Sequence, residues 1–311
     1  MLFGKSTNLL LKWQDDFLLL TTKNKNSMTK LFAAAAAVLM FAASCNNNDK
    51  KVSETAVRND TTMTTNASVA VKTEDVSYTA DGVTMKGFAA YDSTKKGPLP
   101  VVLIVHEWWG LTDYPKERAK QLAALGYFAF AVDMFGDGKT ANSVEEATKL
   151  SGQFYKSMKP GQTRFDAALA KVKTFPNADS TKVAAIGYCF GGSMVLNMAR
   201  LGEPLKGVVS FHGNLIGAPA VKDLLKAEIL VCHGDSDKFV LPAEVAAFKK
   251  QMDSIGAKYT FKSYPGATHA FTNPASTENG KKFGLPIAYN AAADTASFNE
   301  MKGFFERVFK Q

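Results

Sequence analysis

Cysteine is scarce in this chain: Cys45, Cys189 and Cys232 are the only three in 311 residues. An odd set so widely spaced excludes a disulfide framework, so each thiol needs its own explanation. Histidine is almost as rare, at four, and no His-x-His or His-x-x-x-His pair offers the short spacing of a zinc site. No stretch combines clustered Lys or Arg with interleaved aromatics, which argues against a nucleic-acid surface although the net charge is +8. Part of that excess stands near the N-terminus, where Lys5, Lys12, Lys23, Lys25 and Lys30 face only Asp15 and Asp16; the rest reads as a solvated basic surface. No repeat of fixed period is present. Apolar residues at 46% and charged residues at 21% are enough for a sizeable packed core.

The N-terminal part departs from this composition. Lys30 gives residues 28–45 (MTKLFAAAAAVLMFAASC) a positive start. The apolar run 31–43 is too short to span a bilayer as a stable helix but suits the hydrophobic region of a signal peptide. Ala42, Ala43 and Ser44 then precede Cys45. This resembles the lipobox of bacterial lipoproteins, with Ala42 where that box most often has Leu. The resemblance implies that the Cys45 thiol takes a diacylglycerol and anchors an exported protein to a membrane, periplasmic or at the cell surface. An ordinary cleaved signal peptide, with Cys45 incidental, is the alternative. Residues 1–27 carry apolar patches unlike a signal start, so Met28 is expected to be the true start and 1–27 an upstream extension. Residues 46–71 are rich in Asn, Thr, Ser, Asp and Lys, too polar to offset the entropy of ordering, and read as a tether. The folded domain is expected over residues 72–311.

Within it, residues 74–79 and 83–91 alternate around Asp81-Gly82, which predicts a β-hairpin. Residues 101–105 form an unbroken apolar run, as in strands buried on both faces. Further strands are expected at 127–132, 182–186, 207–211, 228–232 and 258–264. Helices are expected at 116–125, 144–158, 164–175, 192–201, 221–226, 243–255 and 291–309. This alternation predicts an α/β fold: a mostly parallel central sheet with helices on both faces and an antiparallel hairpin at its N-terminal end. Ligands bind such sheets at the carboxyl ends of the strands.

The chemistry is concentrated there. Gly187-Tyr188-Cys189-Phe190-Gly191-Gly192 follows one strand and opens a helix. This is the nucleophile-elbow pattern with Cys in place of Ser, its glycines relieving a turn too sharp for side chains. The acid and the histidine should follow in that order. Asp237 comes just after the strand ending at Cys232; its competitor is Asp235, and Asp237 is preferred because the Gly-x-x-Asp spacing carries the side chain past the strand end. His269 arrives on a Gly-containing loop after the last strand, suited to act as general base and then general acid. Backbone N–H groups of Phe190 and of Trp108, in the loop His106-Glu107-Trp108-Trp109-Gly110, are the expected oxyanion donors. Glu107 is either a solvent-facing loop residue or a buried carboxylate that needs a partner. His106, His212 and His233, each at a strand end, are expected to be structural, with no metal or other cofactor required.

His-Glu-x-x-Gly, Gly-x-Cys-x-Gly-Gly, Gly-x-x-Asp and Gly-x-x-His-x-Phe, in this order, resemble the dienelactone hydrolase family of α/β-hydrolases over residues 76–309. The resemblance implies Cys189 as nucleophile, Asp237 as acid and His269 as base. It also implies that Glu107 pairs with the resting thiol and takes its proton when substrate arrives. The family's two substrate-clamping arginines are missing: one position falls within Asp133-Met134-Phe135-Gly136-Asp137, the other is Asn273. A neutral or differently charged small ester or lactone is therefore expected as substrate, in an apolar pocket shaped by Trp108, Trp109, Phe135 and Phe271. A catalytically idle ligand-binding lipoprotein is the rival reading, and a thiol-redox role for Cys189 a third.

Overall fold

A computed structural model describes residues 69–310. The upstream extension, the signal segment with Cys45, and nearly all of the tether lie outside the described residues.

Strands β1 (Val71–Ala80) and β2 (Val83–Asp92) pair antiparallel, with Ala80 opposite Val83. Asp81 (φ 51°) and Gly82 (φ 72°) make the two-residue turn, both in the left-handed region that matches strand twist. The remaining strands are β3 (Leu99–Val105), β4 (Phe128–Val132), β5 (Ala178–Tyr188), β6 (Gly207–Phe211), β7 (Glu228–Gly234) and β8 (Tyr259–Tyr264). They form one eight-stranded sheet in the order β1-β2-β4-β3-β5-β6-β7-β8, antiparallel as far as β4 and parallel beyond it.

The helices are α1 (Asp113–Ala124), α2 (Val144–Lys156), α3 (Lys159–Val172), α4 (Phe190–Arg200), α5 (Pro242–Ser254), α6 (Ser276–Phe283) and α7 (Ala291–Val308). Strand side chains alternate between two cores. Val101, Leu103 and Val105 pack with Phe154 of α2, Phe165 of α3, Met194 of α4 and Phe248 of α5. Val102 and Ile104 pack on the other face with Leu122 of α1 and Phe304 and Phe305 of α7. Both faces of β3 and β4 are thus covered, which is why their sequences run apolar without alternation. Each such side chain contributes roughly 1.5–3 kcal/mol on burial.

Two segments differ from expectation. Residues 221–226 make a single turn, in which the Leu224 and Leu225 N–H groups both donate to the Val221 carbonyl. Only Leu225 is buried there, while Val221 and Leu224 are exposed, so no apolar stripe repays the ordering of a longer helix. Conversely, the polar sequence STENGKKF forms α6. Tertiary contacts hold it: Ser276 Oγ donates to the Ala270 carbonyl at 2.7 Å, and a Cβ on Gly280 would lie 2.4 Å from the Ile287 carbonyl.

Candidate active site

Cys189 joins the end of β5 to the start of α4 with φ 54° and ψ −114°. A side chain is costly there, on the order of 1–3 kcal/mol, so the surroundings must impose it. The glycines show how. A Cβ on Gly187 would sit 2.0 Å from the Gly191 carbonyl oxygen, and one on Gly191 would sit 2.1 Å from that of Val105. Both obstacles are backbone and cannot rotate away. The tight turn lifts the sulfur over the N-terminus of α4, where the helix dipole favours negative charge.

The acid and the histidine reach this point from two neighbouring loops. His269 Nδ1 lies 2.8 Å from Asp237 Oδ2, with the Asp237 side chain wholly buried and that of His269 10% exposed. Asp237 Oδ1 accepts the Phe239 N–H at 2.8 Å, which fixes the carboxylate in its plane. Asp235 is exposed and takes the Gly266 N–H at 2.7 Å, so it stays clear of the imidazole. Cys189 lines the same cleft as His269 and acts on its ring as a charge and hydrogen-bond partner. Burial disfavours the charged imidazole, but Asp237 and Cys189 outweigh it and hold the His269 pKa well above its ordinary value. Cys189 and His269 thus share one cleft, with Nδ1 turned to the carboxylate, which leaves Nε2 for the sulfur.

Glu107, at the end of β3, is 3% exposed. Its partner is Asn273, whose Nδ2 donates to Glu107 Oε2 at 2.6 Å. Burial pushes the carboxyl up to about 7, against that hydrogen bond and the charges of His269 and Arg118. In the unfolded chain the ordinary value of 4.5 returns, so between about 4.5 and about 7 the native state holds a proton that the unfolded state has lost. Stability contributed by this group is present at low pH and is lost as pH rises through that window. Glu107→Gln keeps an acceptor for Asn273 and cannot ionise. Relative to wild type it is expected to gain about 1–3 kcal/mol on going from about pH 5 to about pH 8. Urea unfolding at the two pH values reads this directly; an unchanged difference would mean that the carboxyl is not held protonated.

Phe190 is the first residue of α4, where no helical carbonyl can reach its N–H. Trp108 sits in a turn closed by the Gly110 N–H on the Glu107 carbonyl at 3.1 Å. Both line one cleft with Cys189, Glu107 and His269. The cleft encloses about 890 Å³, counting space open to solvent, and Trp108, Trp109, Tyr155, Phe239, Leu285 and Ile287 give it apolar walls. Glu107 and His269 bring one carboxyl and one imidazole to its lining beside the Cys189 thiol and the Tyr155 phenol, and none of the residues lining it is Lys or Arg.

Phe135 and Phe271, expected in this wall, lie elsewhere. Asp133 Oδ1 captures the N–H groups of Phe135 and Gly136 at 3.0 and 2.8 Å and curls the loop after β4 inward. Phe135 then packs against His106 (4.7 Å between centroids) and Phe190 (5.5 Å), beneath the cleft floor. Ala270, at φ 57°, turns the chain after His269, and Phe271 enters the core against His212 and Tyr264. Tyr155, Phe239, Leu285 and Ile287 take their place in the wall. Only Phe239, two residues from Asp237, stood near a motif in the sequence.

His106 and His212 are buried and fully engaged. His106 Nδ1 meets the Glu107 carbonyl at 2.6 Å, and its Nε2 accepts the Met134 N–H at 3.2 Å. Burial pushes its pKa down to about 4, so it is neutral. His212 faces Cys189 and Thr272. His233 packs on Phe261, and burial lowers its pKa too. Among the described residues no three His, Cys, Asp or Glu side chains are grouped to hold a metal ion.

Known proteins resemble this chain in sequence and in fold. A family profile described as "Dienelactone hydrolase family" matches residues 87–309. Two proteins named "Putative carboxymethylenebutenolidase" are similar to the chain. The one from Aquifex aeolicus is 31% identical over 204 residues, covering 64% of this chain and 86% of that one. The one from Methylorubrum extorquens is 27% identical over 226 residues, covering 69% and 77%. Among solved structures, a dienelactone hydrolase-like promiscuous phosphotriesterase from metagenomic libraries superposes with a TM-score of 0.73 at 33% identity, over 77% of this chain and 99% of that one.

Proposed function

The chain belongs to the dienelactone hydrolase family, and from that premise we propose that it hydrolyses small uncharged esters or lactones through a thioester on Cys189. It is a carboxylic ester hydrolase. The observation that carries the finer reading is the convergence of Cys189 and the His269–Asp237 pair on one apolar cleft whose lining holds no Lys or Arg for an anionic substrate.

The Cys189 thiol gives its proton to His269 Nε2 as the sulfur bonds to the substrate carbonyl carbon, and Asp237 stabilises the imidazolium. The N–H groups of Phe190 and Trp108 hold the oxyanion. The C–O bond to the alcohol breaks, and the alcohol takes the proton from His269, leaving a thioester. Water then loses a proton to His269 as its oxygen bonds to the acyl carbon. The C–S bond breaks, the acid departs and the proton returns to sulfur. Glu107, buried, titrating near neutrality and lining the same cleft as Cys189, is suited to pair with the resting thiol and to take its proton in place of His269 when substrate arrives.

A panel of short-chain p-nitrophenyl esters, with and without iodoacetamide, tests the reading. Turnover abolished by alkylation supports it; esters bound without turnover would instead identify an idle ligand-binding protein. A neutral aryl phosphotriester belongs in the panel because a similar solved structure is described as a promiscuous phosphotriesterase. The proposal extends to an exported lipoprotein anchored through Cys45. Labelled palmitate should enter the wild type and not Cys45→Ala; equal labelling of the two would remove the anchor.

A further inference from the structure

His212 stands at the end of β6, outside the triad, with its backbone at φ 42°. Its Nδ1 accepts the N–H of Cys189 at 3.1 Å, a donor shared with the Phe211 carbonyl at 3.0 Å. With Nδ1 as acceptor, the ring's proton is on Nε2, which donates to Thr272 Oγ1 at 2.8 Å. Burial, ahead of the charges of His269 and Arg118 and of nearby His233, keeps this imidazole well below the usual histidine range, so the tautomer is neutral. Thr272 lies three residues beyond His269 on the same loop. That loop is anchored in turn. The Tyr114 hydroxyl donates to Thr272 Oγ1 at 2.7 Å, and Arg118 donates to the Thr272 carbonyl at 2.8 Å while pairing with Asp294 of α7.

We infer that His212 is a positioning residue: one imidazole bridges the backbone of the nucleophile to the loop that carries the general base, and so sets the reach between Cys189 Sγ and His269. The inference rests on the cysteine-hydrolase reading above for its catalytic meaning. The Cys189 N–H keeps the Phe211 carbonyl when the imidazole is lost, so the sheet and the elbow survive. What disappears is the tie between two segments that approach the cleft from separate strands. A displacement of about 1 Å between reacting groups costs on the order of 100-fold in rate.

Three substitutions in the full chain separate the two bonds. His212→Asn keeps an amide oxygen at the Nδ1 position and tolerates positive φ, but cannot reach Thr272. His212→Gln puts its amide nitrogen near the Nε2 position and forgoes the bond to Cys189. Thr272→Val removes the hydroxyl at constant volume. Each is expected to lower kcat for p-nitrophenyl acetate by roughly 10–100-fold with KM within about two-fold. The rate at which iodoacetamide labels Cys189, read on its peptide by mass spectrometry, should fall in parallel. His212→Asn combined with Thr272→Val should be no worse than Thr272→Val alone, since the bond that His212→Asn breaks is already gone. Unchanged kcat and alkylation, a loss confined to KM, or additive losses in the double variant would overturn the bridge. Should the wild type turn over no ester while labelling still slows in the variants, the bridge stands and the hydrolase reading falls. If the His212 variants do not fold, Thr272→Val set against Tyr114→Phe, which removes only the tyrosine's bond to Thr272 Oγ1, decides by the same readouts, and equal losses in the two would overturn the bridge.

Discussion

Alanine in place of Cys189 is expected to lower kcat for ester hydrolysis by roughly 10⁴–10⁶-fold, with a stability change of under about 1 kcal/mol. The small structural effect follows from the site. Cys189 is only partly buried, and its backbone is held at φ 54° by the elbow, where alanine and cysteine carry the same Cβ. The large kinetic effect follows because no second thiol can take over. Cys232, the other cysteine among the described residues, is buried on β7, where burial pushes its pKa up to about 12 and its sulfur faces the Tyr264 hydroxyl at 3.6 Å. Steady-state turnover of nitrophenyl esters, with a thermal melt of the same sample, checks both halves. Undiminished turnover in a folded Cys189→Ala protein would falsify the assignment.

Asp237→Asn should cost about 10³–10⁴-fold in kcat at neutral pH, and the geometry says why an isosteric change is so damaging. Oδ1 of Asp237 accepts the Phe239 N–H at 2.8 Å, while Oδ2 faces His269 Nδ1 at 2.8 Å. The Phe239 N–H demands an acceptor, so an asparagine would turn its carbonyl there and its NH₂ to the imidazole. Nδ1 would then become the acceptor and the proton would move to Nε2, the nitrogen that must receive the thiol's proton. The carboxylate charge that raises the His269 pKa would vanish as well. Because the fault is a tautomer and not a titration, raising the pH should not restore activity. kcat measured from about pH 6 to about pH 9 should therefore fall throughout. Recovery at the alkaline end would show that Asp237 supplies charge alone.

Much of this site could be read from the chain because its demands are local. Gly187 and Gly191 are fixed by backbone atoms within a few ångströms, and a turn that tolerates no Cβ leaves its mark in one short motif. The choice of Asp237 over Asp235 followed from spacing along one strand end, and the coordinates add that Asp235 is held by the Gly266 N–H. The cleft wall was not legible. Phe135 and Phe271 stand in sequence just beyond the end of β4 and just beyond His269, yet a carboxylate at Asp133 and a left-handed residue at Ala270 turn them into the core. Leu285 and Ile287 reach the cleft from beyond α6, a helix whose own sequence carries no apolar stripe.

By itself the sequence determined the alternation of strands and helices, the two-sided burial of β3 and β4, and which residue types stand at the strand ends. These rest on periodicity and on steric rules acting over a few residues. Only the tertiary structure decided the partners: Asn273 for Glu107, Thr272 for His212, and Phe239 and Ile287 for the cleft wall. Those contacts join residues far apart in the chain, and their energy depends on distance and on exclusion of water, neither of which is written in the order of the amino acids.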